Sequence, residues 1–336
     1  MKNEIRVSVG IPFLNAQATL ADAIRSVLAQ TWDDWELLLA DDGSSDGSLR
    51  VACSIRDPRV RVLRDGTHRG LTERLNQIAS LARGRYLARM DADDLMHPER
   101  LRRQVRFLED NPSVDLVDTA TITIDEKNEP LGLRGDRPLN IDPRAVLRSG
   151  LLLHPTVMGR TDWFRKHPYD GRFVRAEDHE LWVRTCRNTS FARLSEPLFF
   201  YREGLSGNLR NYLRTGRTIR KILRVYGPTE VGYGETALLL GRSYLKSCAY
   251  WTYTKLGQQH RLIRGRTRPL QADEETAARA ALYAILQTPL PSSERIDHEH
   301  LPGEDSAEPT PAAHLHGTAD AGFPQPPGGL CAGSGR

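Results

Sequence analysis

Three carboxylates stand together in Met90-Asp91-Ala92-Asp93-Asp94, directly after the apolar-biased run Arg85-Tyr86-Leu87-Ala88-Arg89. Alternate residues of an extended chain point the same way, so Asp91 and Asp93 face one point just past a strand end. Two carboxylates that close repel each other unless a cation lies between them or one is protonated. Hard oxygen ligands of this kind suit Mg2+ or Mn2+, commonly shared with a substrate's phosphates. Chemistry on a diphosphate is one reading. An acidic turn that caps the next helix, with Asp94 as the cap, is the other.

Other segments can be read for chemistry in the same way. In Ala40-Asp41-Asp42-Gly43-Ser44-Ser45-Asp46, Gly43 permits a tight turn and the Ser and Asp residues can cap a helix. Asp41 could instead accept from a base N–H, and a uracil ring offers one between two carbonyls. Glu177-Asp178-His179-Glu180 places acids at a helix start, where the helix dipole favours them. The same acids could act as a general base toward a sugar or alcohol hydroxyl. His179 competes for that role because its intrinsic pKa is nearer neutrality. His154 follows an apolar run and is either structural or a contact for metal or diphosphate. Gly232-Tyr233-Gly234-Glu235-Thr236-Ala237 matches a dinucleotide fingerprint, but no strand precedes it, so it is discounted. No G-x-x-x-x-G-K-[ST] loop is present, which argues against a P-loop kinase.

These residues need elements to position them. Residues 7–13, 35–40, 60–63 and 85–90 read as strands, and 18–30, 48–55, 70–82 and 98–109 as helices. This alternation implies βαβ units and a parallel sheet, an α/β fold. Ligands bind beyond the carboxyl ends of such strands. Pro12 and Asn15, then Asp41 and Asp42, then Asp65, then Asp91 and Asp93 all stand there. Further on, 114–117, 119–124, 156–158 and 191–202 read as strands, and 145–150 and 177–186 as helices. Residues 128–141 read as a loop able to cover the site. The divisions expected are 1–207 catalytic, 208–288 helical and 289–336 a disordered tail poor in large apolar residues. The tail histidines, His298, His300, His314 and His316, are expected to be solvated.

Composition narrows the partners. The chain has 336 residues and a formal charge of +4, which does not ask for nucleic acid. Four scattered cysteines, Cys53, Cys186, Cys248 and Cys331, fit neither a zinc site nor a disulfide framework and suggest a reducing compartment. No stretch approaches the roughly 20 apolar residues of a membrane span. Arg210, Arg214, Arg217, Lys221 and Arg224 recur at helical spacing and share one face. That face suits solvent, anionic lipid or a diphosphate.

Taken together, the chain resembles a family 2 glycosyltransferase with the Rossmann-like GT-A fold. The stretches that carry the resemblance include VSVGIPFLNAQATL, LLLADDGSSDGS, GRYLARMDADDLMHPERL, HPTVMGR, AEDHELWVR and PLFFYREGLSGNL. They occur in the family's usual order over about residues 5–208. The resemblance implies that Pro12 and Asn15 line the nucleotide pocket and that Asp41 meets the base. It implies Asp91 near ribose and metal, Asp93 as the principal metal ligand, and Asp178 as catalytic base with Glu177 beside it. His154 is kept as a third candidate ligand. It also implies inversion, a Mn2+ or Mg2+ cofactor, a nucleotide-diphospho-sugar donor (UDP-linked is expected), and a saccharide or lipid-linked acceptor. Many relatives carry Gly where this chain has Asp118, for which a structural part is expected. The segment 204–207, with Ser206, is looser than usual.

The expectation is therefore an inverting glycosyltransferase of polysaccharide or glycoconjugate synthesis, cytoplasmic, with a peripheral contact at the inner membrane face through the basic helix. A silent nucleotide-sugar-binding scaffold and a nucleotidyltransferase are the alternatives. The second normally needs a basic, glycine-containing phosphate loop after the first strand, and residues 12–19 hold neither glycine nor base.

Overall fold

The computed structural model describes residues 6–203, 209–256 and 267–291. Ser206, the tail histidines and Cys331 lie outside the described residues. Strand β1 (Val7–Phe13) is buried at every position, as a strand covered on both faces must be. It pairs in parallel with β2 (Trp35–Asp41) and β4 (Tyr86–Arg89), and β2 pairs in parallel with β3 (Val60–Leu63). Helices α1 (Leu20–Leu28), α2 (Ser48–Ser54) and α3 (Leu71–Leu81) make the crossovers.

Strand alternation divides the core. Leu37 and Leu39 of β2 pack with Val9, Ile11 and Val27. Leu38 and Ala40 point the other way, toward Leu75 and Ile78 of α3. The period of two thus feeds a helix layer on each face. Gly10 matters here, because a Cβ at that position would lie 2.4 Å from Ile78 Cγ2. Only glycine lets α3 settle this closely on β1.

Beyond β4 the sheet changes direction. A short strand β5 (Leu95–Met96) leads into α4 (Arg100–Asp110), then β6 (Leu116–Ile124) and β7 (Pro130–Arg134). After α5 (Pro143–Ser149), β8 (Met158–Arg160) and α6 (Thr161–Lys166) come α7 (Glu177–Thr185) and β9 (Phe191–Arg202). The strand order is β3-β2-β1-β4-β8-β6-β9-β5, with β7 on β6. β8 runs antiparallel to both β4 and β6.

Several sequence expectations change. Residues 114–124 hold one strand, not two, and it runs straight through Asp118. That carboxylate is fully buried and ion-paired to Arg193, which is what allows an acid in mid-strand. The expected loop at 128–141 contains β7, because 130–134 finds backbone partners on β6. The strand expected at 156–158 lies at Met158–Arg160 instead, since residues 154–156 form a 3-10 turn.

The helical segment also joins the sheet. Helix α8 (Leu209–Lys255) is two arms joined at Gly232, whose φ of 81° is non-helical. Gly232 of the apparent dinucleotide motif therefore serves a helix kink. Ile222 and Leu223 of the first arm pack in the same cluster as Leu181 and Trp182. Helix α9 (Ala272–Leu286) buries Ala278, Leu282 and Ile285 against Leu95, Ile122, Ile124 and Phe200. Leu282→Ala should lower the stability of the whole chain by about 2–5 kcal/mol. Urea unfolding followed by tryptophan fluorescence checks this. A separate early transition for α9, with the main transition unmoved, would make that helix an appendage.

Candidate active site

The carboxylates after β4 are held by arginines. Arg89 is nearly buried at the strand's last position and grips Asp91 with two bonds, Nη1 to Oδ2 at 2.8 Å and Nη2 to Oδ1 at 2.5 Å. Asp94 is fully buried. Its Oδ1 accepts from the Arg202 backbone N–H at 2.8 Å, and its Oδ2 has no partner. The Arg202 side chain donates to the Asp93 carbonyl and to the Asp125 carbonyl, tying β9 over the acidic turn. One carboxylate oxygen from each of Asp91, Asp93 and Asp94 lies within 4.8 Å of the others.

Electrostatics follow from this crowding. Partial desolvation and the Asp91 charge push the Asp93 carboxyl upward. Burial first, then Asp93 and Asp91, pushes Asp94 well above the usual carboxylate range. Three acids share two close arginines, and one buried oxygen is orphaned. Such a donor set, all oxygen and short of positive charge, fits a hard divalent cation. Asp91, Asp93 and Asp94 are the residues that would hold it.

His154 is not in that group. Its Nε2 lies 2.8 Å from the Tyr169 hydroxyl, and its ring meets Trp182 edge-on. Burial, with Arg89 adding to it, holds its pKa well below the ordinary value. Asp94, read from sequence as a possible helix cap, takes the third place that His154 was expected to fill. No side-chain cap stands at the start of α4.

The second acidic pair opens α7. Glu177 is buried and Asp178 half-buried. Burial, then the neighbouring Asp178, raises the Glu177 pKa. His179 holds its Nε2 2.9 Å from the Val146 carbonyl, and burial lowers its pKa. It is committed to packing rather than open for proton transfer. Glu180 is also structural, paired with Arg184 and accepting from the Tyr226 hydroxyl. Tyr169 is within electrostatic reach of both acidic groups. Its phenol is pushed up by burial and by the Asp178, Glu177 and Asp91 charges.

The tips of β1 and β2 form a third group. Asn15, at φ 50°, accepts from the Ser45 N–H at 2.8 Å, while its own N–H donates to Ser44 Oγ. Asp41 is buried and accepts from the Ser44 N–H at 3.1 Å. Pro12 and Phe13 stand opposite Ala40 and Asp41 in register. Asp42 and Asp65 are not free for a ligand. Arg74, itself fully buried, bonds Asp42 at 3.1 Å and Asp65 at 2.7 Å. Part of the acid at the strand ends is thus neutralised within the fold.

A cleft of about 1410 Å3 takes in some of these parts. Asp91, His154, Glu177 and Asp178 all line it. Pro12, Asn15, Asp41 and Asp93 do not, although β1 lies directly beside β4. The structure therefore brings Asp91 and the Glu177–Asp178 pair to one cavity, and leaves Asp93, Asp94 and the expected base pocket outside its lining.

Comparison with known proteins decides the family. Residues 8–171 match the family model described as glycosyl transferase family 2. The putative glycosyltransferase EpsE of Bacillus subtilis is 36% identical over 192 residues, which is 55% of this chain and 68% of that protein. The chain belongs to glycosyl transferase family 2. It is a glycosyltransferase of glycan biosynthesis. An Escherichia coli relative, named UDP-Glc:alpha-D-GlcNAc-diphosphoundecaprenol beta-1,3-glucosyltransferase WfgD, is 27% identical over 56% of this chain and 73% of its own. Among solved structures, S. aureus TarS 1-349 in complex with UDP-GlcNAc superposes with a TM-score of 0.57, at 16% identity, over 84% of this chain and 82% of that one. The mannosyltransferase PcManGT from Pyrobaculum calidifontis, in complex with GDP-Man and Mn2+, gives 0.51 at 17% identity, over 84% and 86%. The fold is accordingly of the GT-A type.

Three contributors to this family 2 site were not read from the sequence. Arg89 carried a signal, an arginine ending a strand otherwise bound for the core. Tyr169 and Arg202 carried none, because they reach the site only through tertiary packing.

The buried histidine makes one prediction. With its folded-state pKa depressed, the unfolded chain takes up the proton first as pH falls. The contribution of His154 to stability is therefore complete above about pH 6.5 and declines below it. His154→Gln should flatten stability between about pH 6.5 and 5 by up to about 1.4 kcal/mol per pH unit relative to wild type. Urea titrations at several pH values measure this, and identical slopes would contradict it.

Proposed function

We propose that this chain is an inverting, divalent-metal-dependent transferase that moves a sugar from a nucleotide-diphospho-sugar to a saccharide or lipid-linked acceptor. The observation that carries the reading is the sharing of one cleft by Asp91 and the Glu177–Asp178 pair. UDP is the proposed nucleotide, supported by the donor in the E. coli relative's name and by the UDP-GlcNAc complex of TarS. Pro12, Asn15 and Asp41 are proposed to flank the base. Asp91 and Asp93, with Asp94, are proposed to hold Mn2+ or Mg2+, in keeping with the Mn2+ of the archaeal neighbour.

Asp178 is the proposed base, since it is more open to the cleft than Glu177. It takes the proton of the acceptor hydroxyl as that oxygen attacks the anomeric carbon. The new C–O bond forms as the bond to the diphosphate oxygen breaks, and the departing oxygen keeps the electron pair. A single displacement of this kind inverts the anomeric configuration. The bound cation would supply charge neutralisation at the leaving diphosphate. Arg89 keeps Asp91 in place, and the Tyr169 hydroxyl holds His154.

A peripheral contact with anionic lipid belongs to the same proposal. No helix among the described residues is long and apolar enough to cross a membrane. On α8, Arg210, Arg214 and Arg217 are exposed and meet no carboxylate among the described residues. Lys221 and Arg224 are exposed too, but donate to the Arg172 carbonyl and the Tyr244 hydroxyl. The second arm exposes Leu238, Leu245 and Trp251. Cations with exposed aromatic and leucine side chains suit a membrane surface.

Two variants test the chemistry. Asp93→Ala should abolish Mn2+-dependent donor binding by calorimetry, and with it transfer across a panel of nucleotide sugars. Full activity in that variant would remove the metal assignment. Asp178→Asn should slow the chemical step by about 10²–10⁴ with UDP binding retained. Loss of UDP binding together with the fold would instead make Asp178 structural.

A further inference from the structure

Among the described residues, eight arginines and no lysine line the cleft, against five carboxylates. Four of the eight are engaged within the fold. Arg69 pairs with Asp65, Arg89 with Asp91, Arg193 with Asp118, and Arg268 with Asp136 and Glu274. The other four, Arg134, Arg137, Arg148 and Arg175, meet no carboxylate among the described residues. They stand on four different segments: the end of β7, the loop after it, the last turn of α5 and the residue pair before α7. A single solvated helix face does not account for that convergence.

The fold also fixes the segments that carry them. Asp118 and Arg193 form a buried pair, and Arg193 donates onward to the carbonyls of Arg137 at 3.3 Å and Leu151 at 3.2 Å. Asp118 accepts from the Leu153 N–H at 2.8 Å. One buried ion pair therefore pins the loop after β7 and the segment after α5 together. Arg175 has a φ of 70°, a left-handed conformation that costs free energy for any residue but glycine. An arginine is kept there, two residues ahead of Glu177. Arg134 ends β7, which pairs with β6, and β4 and β8 lie between β6 and β1 in the strand order. The cleft, at about 1410 Å3, exceeds the roughly 300–1,000 Å3 usual for one small ligand.

We infer that Arg134, Arg137, Arg148 and Arg175 form a second anion subsite, which holds a phosphate group carried by the acceptor. The planar guanidinium fork matches phosphate oxygens in pairs. A phosphate held at Arg175 brings the acceptor to the residues that precede the base. The inference rests on the reading of this cleft as a sugar-transfer site. Its chemistry admits two sources, the diphosphate of a lipid-linked saccharide or a phosphodiester within a polymer.

The test uses the full chain and begins with inorganic pyrophosphate in EDTA, so that no cation can hold it at Asp93. Calorimetry should find binding in wild type and in Asp93→Ala. The double variant Arg137→Gln/Arg148→Gln, changed only at exposed side chains, should weaken it by about 10-fold or more. Arg134→Gln gives a second, independent measure. UDP binding with Mn2+ should stay within about 2-fold in these variants. Pyrophosphate binding that ignores the arginines overturns the inference, as does a matching loss of UDP binding, which would assign them to the donor. Absence of UDP binding in wild type would instead strike the proposed function and leave the pyrophosphate result standing. With transfer assays, wild type should favour a polyprenyl-diphosphate saccharide or a phosphodiester oligomer over the same sugar as a neutral alkyl glycoside. The favoured one names the source, the preference should vanish in the double variant, and equal use of all three overturns the inference.

Discussion

The repulsion among Asp91, Asp93 and Asp94 is the constraint around which this structure is arranged. Three carboxylates within a few ångströms cannot all be ionised without compensation. The fold provides some of it. Arg89 closes on Asp91 from below, and Arg202 bonds the backbone around Asp93 and the carboxylate of Asp94. The compensation stops short, since Asp94 keeps one buried oxygen without a partner. Neutralising the group fully with arginine would have made a stable turn with no affinity for a cation. Leaving it uncompensated would have cost the strand end its geometry. The observed balance keeps the turn folded and the group attractive to a divalent ion.

The same logic runs along the other strand ends. Asp42 and Asp65 share Arg74, a side chain with no exposure at all. Breaking such a buried pair leaves a charge in an apolar setting, which is why these acids are fixed parts of the frame. Asp118 and Arg193 repeat the pattern on β6 and β9. Buried arginine–carboxylate pairs thus fix parts of the frame, and the cleft mixes paired groups such as Asp91 with the Glu177–Asp178 acids.

Much of the first half of the fold was legible in the chain. Residues 7–13 and 60–63 alternate or run apolar between turn signals, and the strands have those bounds. Local patterning decides such elements because both faces of a parallel sheet are buried and neighbouring helices are close in sequence. Residues 128–134 were not legible. Their Gly, Pro and Arg content reads as loop, and only β6, whose pairing residues lie some 10 positions earlier, supplies the partners that make a strand. His154 shows the same limit for a site. Its neighbours in sequence say little, and Tyr169 and Trp182 settle its surroundings from elsewhere in the chain.

By itself the sequence determined the α/β alternation, the acids at Asp91–Asp94 and Glu177–Asp178, and the resemblance that joined them. These are matters of spacing, and spacing is local. Only the tertiary structure decided which acids are free. Arg74, Arg89 and Arg193 choose their carboxylates across intervals as short as 2 residues and as long as 75. The physical reason is that a charge becomes available for chemistry by lacking a partner, and partnership is settled in space rather than along the chain.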